Sequence, residues 1–158
     1  MSTPTWDEWV FLTYSLPREP STPRLALWRK LKRYGVAQLA DGLVALPADA
    51  RTREQLEWAA DDVVAAGGTA SVWIARPTTR VQVRDLARSM SEARAAEYAG
   101  VLAEAAVVEG LPPTERTRAL RRLRGELRRI QRRDYFRPPE RERARRALDE
   151  LARLEAAL

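Results

Sequence analysis

The twelve residues VAQLADGLVALP, Val36 to Pro47, set the topology of the first half of the chain. Two short apolar runs flank Asp41-Gly42, the dipeptide of a tight β-hairpin. Such a turn, read as type I′, asks for positive φ at both central residues. Upstream, apolar residues at helical spacing (Leu27, Trp28, Leu31) predict a helix from Arg24 to Tyr34, with Ser21 or Thr22 as its cap and Gly35 as its stop. Further upstream, WVFLTYSL, Trp9 to Leu16, is aromatic and apolar and ends at Pro17, which predicts a strand. Downstream, Leu56, Ala59, Ala60, Val63 and Val64 give Thr52–Ala66 an inward helical face, closed by Gly67-Gly68. ASVWIA, Ala70 to Ala75, predicts a strand closed by Pro77, and Val81–Val83 a further short one.

The resulting order is β-α-β-β-α-β, the ferredoxin-like split arrangement: an α+β domain with two helices on one face of a four-stranded antiparallel sheet. The first strand is apolar on both parities, Trp9 and Phe11 on one and Val10, Leu12, Tyr14 and Leu16 on the other. A strand of that kind is covered on both faces, here by a second copy in a homodimer or by the rest of the chain. The five tryptophans, at 6, 9, 28, 58 and 73, are expected in the core.

From Leu86 onward the pattern is helical. Met90, Arg94, Tyr98, Val101, Leu102, Ala105 and Val108 trace one stripe, ended by Gly110 and Pro112-Pro113. A second helix is predicted over Thr114–Asp134 and a third from Pro138-Pro139, lined by Ala144, Ala147, Leu148, Leu151, Leu154 and Leu158. The expected organisation is a sheet domain over 1–85 and an antiparallel three-helix region over 86–158.

Charge is concentrated in the second of these helices. The chain carries a net +6, yet residues 114–137 hold ten arginines and three acids, a net +7, and everything else sums to −1. Leu120, Leu123, Leu127 and Ile130 step by three, four and three along one seam, and Arg121, Arg122, Arg124, Arg128, Arg129, Arg132 and Arg133 fall mainly off it. Like-charged neighbours at helical spacing each cost a few tenths of a kcal/mol. Three arrangements offset that repulsion. The arginines pair with acids of adjoining helices (Glu104, Glu140, Glu142, Glu150); or they meet the phosphates of double-stranded DNA; or two or three of them hold a small oxyanion, which suits the planar guanidinium fork.

The chain has no cysteine and no histidine, which removes disulfides, the usual zinc sites and thiol or imidazole catalysis. No metal or cofactor is expected. The first predicted strand ends in Tyr14-Ser15-Leu16-Pro17 rather than acids, Asp41 is explained by its turn, and Ser15 has no base to activate it. Carboxylates that do not converge are not a catalytic site, so the expectation is not an enzyme. No window is long and apolar enough to cross a bilayer, and the N-terminus lacks the pattern of a signal peptide; the expected location is cytoplasmic.

Ser15-Leu16-Pro17, Arg24, Trp28-Arg29, Leu31-Lys32, Gly35, Asp41-Gly42, Leu46-Pro47 and Gly67-Gly68 with Ala70 together resemble the N-terminal domain of the ChrB family of chromate-resistance regulators. A basic helix ending in Asp134-Tyr135-Phe136 extends the resemblance into the helical half. It implies a transcriptional regulator that binds promoter DNA and responds to chromate, and a ferredoxin-like domain akin to that of the phenylacetate repressor PaaX. Full-length members carry a second domain beyond this length, so the expectation is DNA binding without that domain. The alternative is an oxyanion-sensing or dimerisation module that does not bind DNA.

Overall fold

Strand β1, Trp9–Ser15, is the centre of the sheet, paired antiparallel with β3, Leu43–Pro47, on one side and β4, Thr69–Ala75, on the other. The computed structural model describes residues 7–157, so Trp6 and Leu158 lie outside the described residues. With β2, Ala37–Ala40, the strand order is β2-β3-β1-β4, antiparallel throughout. Helices α1, Thr22–Tyr34, and α2, Ala50–Ala65, complete the β-α-β-β-α-β order, the ferredoxin-like arrangement expected from the sequence.

The pleat sorts the side chains. Val10 and Leu12 stand opposite Leu46 and Val44, and all four are fully buried. Leu27 and Leu31 of α1 and Leu56, Ala59 and Val63 of α2 are buried with them, each worth about 1.5–3 kcal/mol for the larger side chains. On the opposite parity Trp9 and Ala45 are buried, whereas Phe11 and Thr13 are half-buried and Trp73 is 56% exposed. The two-sided cover expected of β1 therefore holds at its start and fades along its length.

Two tryptophans depart from the core expected of them. Trp58 sits about 200° around α2 from Leu56 and points away from the sheet; it is exposed. Trp73 lies on the edge strand and directs its indole N–H to Thr13 Oγ1 at 3.0 Å. Val64, counted inward in the sequence, is also exposed, being displaced around the helix from Val63.

Turn and cap chemistry refine the boundaries. Gly42 has φ +73° but Asp41 keeps negative φ, so the hairpin is not type I′. The pairing of β2 with β3 shifts between Gln38 and Ala40, and this irregularity absorbs the twist that a I′ turn otherwise supplies. Gly42 also touches β1: Tyr14 N donates to its carbonyl at 2.9 Å, and a Cβ there would lie 2.3 Å from Tyr14 O. Asp49 caps α2 by accepting from Thr52 N, while Thr52 Oγ1 accepts from Asp49 N and donates to Pro47 O at 2.6 Å. Gly68 is required by packing, since a Cβ would meet Ser15 O at 2.3 Å and Val63 Cγ1 at 2.8 Å.

Val81–Val83 is not a strand; it opens α3, Arg80–Val108. Thr79 and Gln82 form a reciprocal cap there, Gln82 N donating to Thr79 Oγ1 and Thr79 N to Gln82 Oε1. The chain divides into two compact units between Met90 and Ser91, within α3.

In the second unit, the rest of α3 packs with α4, Pro113–Arg132, and α5, Pro139–Ala156. Tyr98, Val101, Ala105 and Val108 share a core with Leu120, Leu123, Leu127 and Ile130 and with Ala144, Leu148 and Leu151. Leu154, expected in that core, is exposed near the end of α5. Cross-helix pairs fix the antiparallel run: Glu104 meets Arg122, Glu97 meets Arg133, and Thr117 donates to Glu155 at 2.8 Å. Asp134 organises the reversal between α4 and α5. Its fully buried carboxylate accepts from Tyr98 Oη at 2.7 Å, Arg141 at 3.2 Å and the N–H groups of Phe136 and Arg137 at 3.2 and 2.9 Å. Burial first, and then the hydrogen bond to Asp134, hold the Tyr98 phenol well above its ordinary range. Among the described residues, no helix is long and apolar enough to cross a membrane.

Candidate nucleic-acid interface

Helix α4 is the element on which the predicted cationic residues converge. At 1.5 Å per residue its 20 residues extend about 30 Å. The seam expected from the sequence is the one that is buried: Leu120, Leu123, Leu127 and Ile130 all face the unit's core. Fixing that seam fixes where every arginine points.

The seven predicted arginines separate into two sets. Arg122 meets Glu104 at 2.8 Å and Glu126 at 3.9 Å, Arg124 meets Asp149 at 3.6 Å, and Arg133 donates through Nε and Nη2 to Glu97 at 3.0 and 2.7 Å. Glu97 also holds Arg94 at 3.1 Å, and Arg94 donates onward to the Arg133 carbonyl at 3.4 Å. Burial is the main influence that lowers the Arg94 guanidinium below its ordinary range. These three predicted residues are thus tied into the bundle.

Arg121, Arg128, Arg129 and Arg132 are exposed, and among the described residues no carboxylate lies within 4 Å of any of them. Arg118, not among the seven predicted arginines, is in the same position. Stepping 100° per residue, these five occupy one arc about 100° wide, centred opposite the seam, and run about 21 Å along the axis. Gly125 sits in the middle of that arc. A Cβ added there would meet only Arg129 Nη1 at 3.5 Å and Arg128 Nη2 at 3.9 Å, which is ordinary contact, so the fold itself does not require glycine.

The neighbouring helix shows the contrast. On α5, Arg145 pairs with Glu142 and with Asp149, Arg146 lies 3.4 Å from Glu142, and Arg143 lies 3.9 Å from Glu140. Hydrogen bonding to Arg145 leads the effects that lower the Glu142 carboxyl to about 2. Arg143, Arg145 and Arg146 of α5 pair with acids of their own helix, and the arginines of the α4 arc do not. Three of the acids expected to neutralise α4 are instead directed elsewhere or unpaired with it: Glu140 and Glu142 serve α5, and Glu150 has no ion pair with α4.

The sequence model of the family described as "Protein ChrB, N-terminal" matches residues 24–110, more than half of the 158-residue chain. The chain belongs to the ChrB N-terminal family. This is the family, linked to chromate resistance, that the Arg24, Trp28 and Asp41-Gly42 pattern resembles. Protein ChrB of Cupriavidus metallidurans is 36% identical over 66 residues, 42% of this chain and 20% of that protein. The aligned part is thus a fifth of the ChrB relative's length. The match to the ChrB family runs from α1 to the end of α3. Ser15-Leu16-Pro17, the arginine arc and Asp134-Tyr135-Phe136 lie outside it.

Proposed function

We propose that this chain is a DNA-binding regulator of chromate resistance whose α4 lies against the phosphates of duplex DNA. The observation that carries the reading is the set of five exposed arginines on one arc of α4 without a carboxylate within 4 Å among the described residues. Unneutralised guanidinium groups along one helix face are destabilising in the free protein and are relieved by an anionic partner. Family membership supports the biological setting of chromate resistance.

The charge pattern suits backbone contact more than base readout. The major groove is about 12 Å wide and admits one helix. An arc of arginines 21 Å long can meet several phosphates and set register, a role that carries no sequence information of its own. In this reading Arg118, Arg121, Arg128, Arg129 and Arg132 supply the electrostatic affinity, and Arg122, Arg124 and Arg133 hold α4 in place.

The test is binding of fluorescein-labelled duplex DNA, followed by anisotropy, for the wild type and for the variant with Arg121, Arg128, Arg129 and Arg132 all changed to Ala. Loss of four phosphate contacts is expected to weaken binding by about a hundredfold or more at low salt. Circular dichroism should be unchanged, because among the described residues none of the four has an ion-pair partner. Equal affinity of the two proteins for DNA would remove α4 as the interface.

A further inference from the structure

The sheet unit contains a cleft of about 520 Å³ between the end of β1, the β2–β3 turn and the first turns of α1. All of its lining residues belong to the sheet unit. Arg18 and Arg24 line it, and among the described residues neither has a carboxylate within 4 Å, although Asp41 of the β2–β3 turn also lines the cleft. The first turn of α1 beside them has no acidic residue, and Ser21 makes no side-chain cap, which leaves that end of the helix electropositive. The wall is apolar, formed by Leu16, Leu25 and the half-buried Trp28. Tyr14 also lines the cleft; burial raises its phenol's pKa, Arg24 opposes that shift and Asp41 adds to it.

We infer that this cleft binds a small organic anion, its carboxylate or phosphate held by Arg18 and Arg24 and its apolar body laid against Leu16, Leu25 and Trp28. Two arginines lining one cleft, neither ion-paired among the described residues, can receive an oxyanion group, since the planar fork offers paired donors. The size decides against a bare inorganic oxyanion. Ligand clefts for organic molecules fall in the range of about 300–1,000 Å³, and a tetrahedral ion would leave most of this one, and all of its apolar wall, unused. Binding here stands independently of DNA binding by α4.

The experiment uses the full 158-residue chain, labelled with ¹⁵N, titrated with phenyl phosphate, benzoate, benzyl alcohol and inorganic phosphate. Phenyl phosphate or benzoate should shift the Trp28 indole and Gly42 amide signals, with saturation at lower concentration than inorganic phosphate, and benzyl alcohol should shift neither. Changing Arg18 or Arg24 to Ala should weaken the organic anion about tenfold each. Arg24→Lys, which keeps the charge and loses the fork, should fall between. Among the described residues neither arginine has a hydrogen bond or ion pair, so melting temperatures should stay within about 2 °C of wild type. The inference is overturned if no anion shifts these signals at millimolar concentration, if inorganic phosphate binds as well as phenyl phosphate, or if the shifts survive in the Arg18→Ala/Arg24→Ala double variant.

Discussion

Gly125→Ala separates the stability of α4 from its use. Glycine in a helix interior is about 1 kcal/mol less favourable than alanine, because it surrenders more backbone freedom on folding. At this site the new methyl would make ordinary contacts, 3.5 Å to Arg129 Nη1 and 3.9 Å to Arg128 Nη2, both at the ends of flexible side chains. No steric cost offsets the propensity gain, so the helical unit should become about 0.5–1 kcal/mol more stable. For a unit of this size that is roughly 2–8 °C in melting temperature. The same methyl stands at the centre of the arginine arc and would hold a phosphate away from the helix surface. Duplex binding should weaken, with the logarithmic salt slope falling by about 0.9, one phosphate contact. Urea denaturation followed by far-ultraviolet circular dichroism measures the first quantity and anisotropy the second. A protein that is no more stable than wild type would refute the structural step, and a stabilised protein that binds DNA unchanged would refute the functional one.

Other substitutions test the scaffold. Asp134→Ala leaves Tyr98 and Arg141 without their shared buried acceptor and should cost the helical unit about 3–5 kcal/mol in urea denaturation. Tyr98 has a folded pKa raised above its unfolded value, so its contribution is complete below about pH 10 and is lost as pH rises toward the folded value. Wild type should therefore lose more stability between about pH 9 and about pH 11 than Tyr98→Phe does. Gly42→Ala places a Cβ 2.3 Å from Tyr14 O at φ +73° and should destabilise the sheet unit by about 2–3 kcal/mol, more than the ~1 kcal/mol expected of the cap variant Asp49→Ala.

Much of the architecture was legible because it follows from local periodicity. Leu120, Leu123, Leu127 and Ile130 are spaced so that only one helical face can hold them, and that face is the buried one. The Asp41-Gly42 turn marks the hairpin unambiguously, yet its type depends on the irregular pairing near Leu39, which the dipeptide does not encode. Val81-Gln82-Val83 alternates as a strand would, but the Thr79–Gln82 cap starts a helix there; that signal was present in the sequence. Trp58 could also have been placed outside from its angle to Leu56, whereas residue type alone suggested the core.

The site was harder to read, for a different reason. Whether an arginine is free depends on acids that arrive from other helices. Glu97, Glu104 and Asp149 neutralise Arg133, Arg122 and Arg124, and no spacing within α4 reveals it. Arg118 shares the arc of the unneutralised set by its angle around the helix, and that much is visible in the spacing. The cleft of the sheet unit draws Tyr14, Arg18, Arg24 and Gly42 from separate segments, so only the folded chain brings them together.

The salt dependence of duplex binding tests the arginine arc most directly. Measured between about 50 and 200 mM salt, the wild type should give a steep logarithmic slope, and the Arg121, Arg128, Arg129 and Arg132 alanine variant should give one shallower by about three to four, near 0.9 per lost phosphate. Identical slopes for the two proteins would contradict the account, because the arc would then be making no contact with DNA.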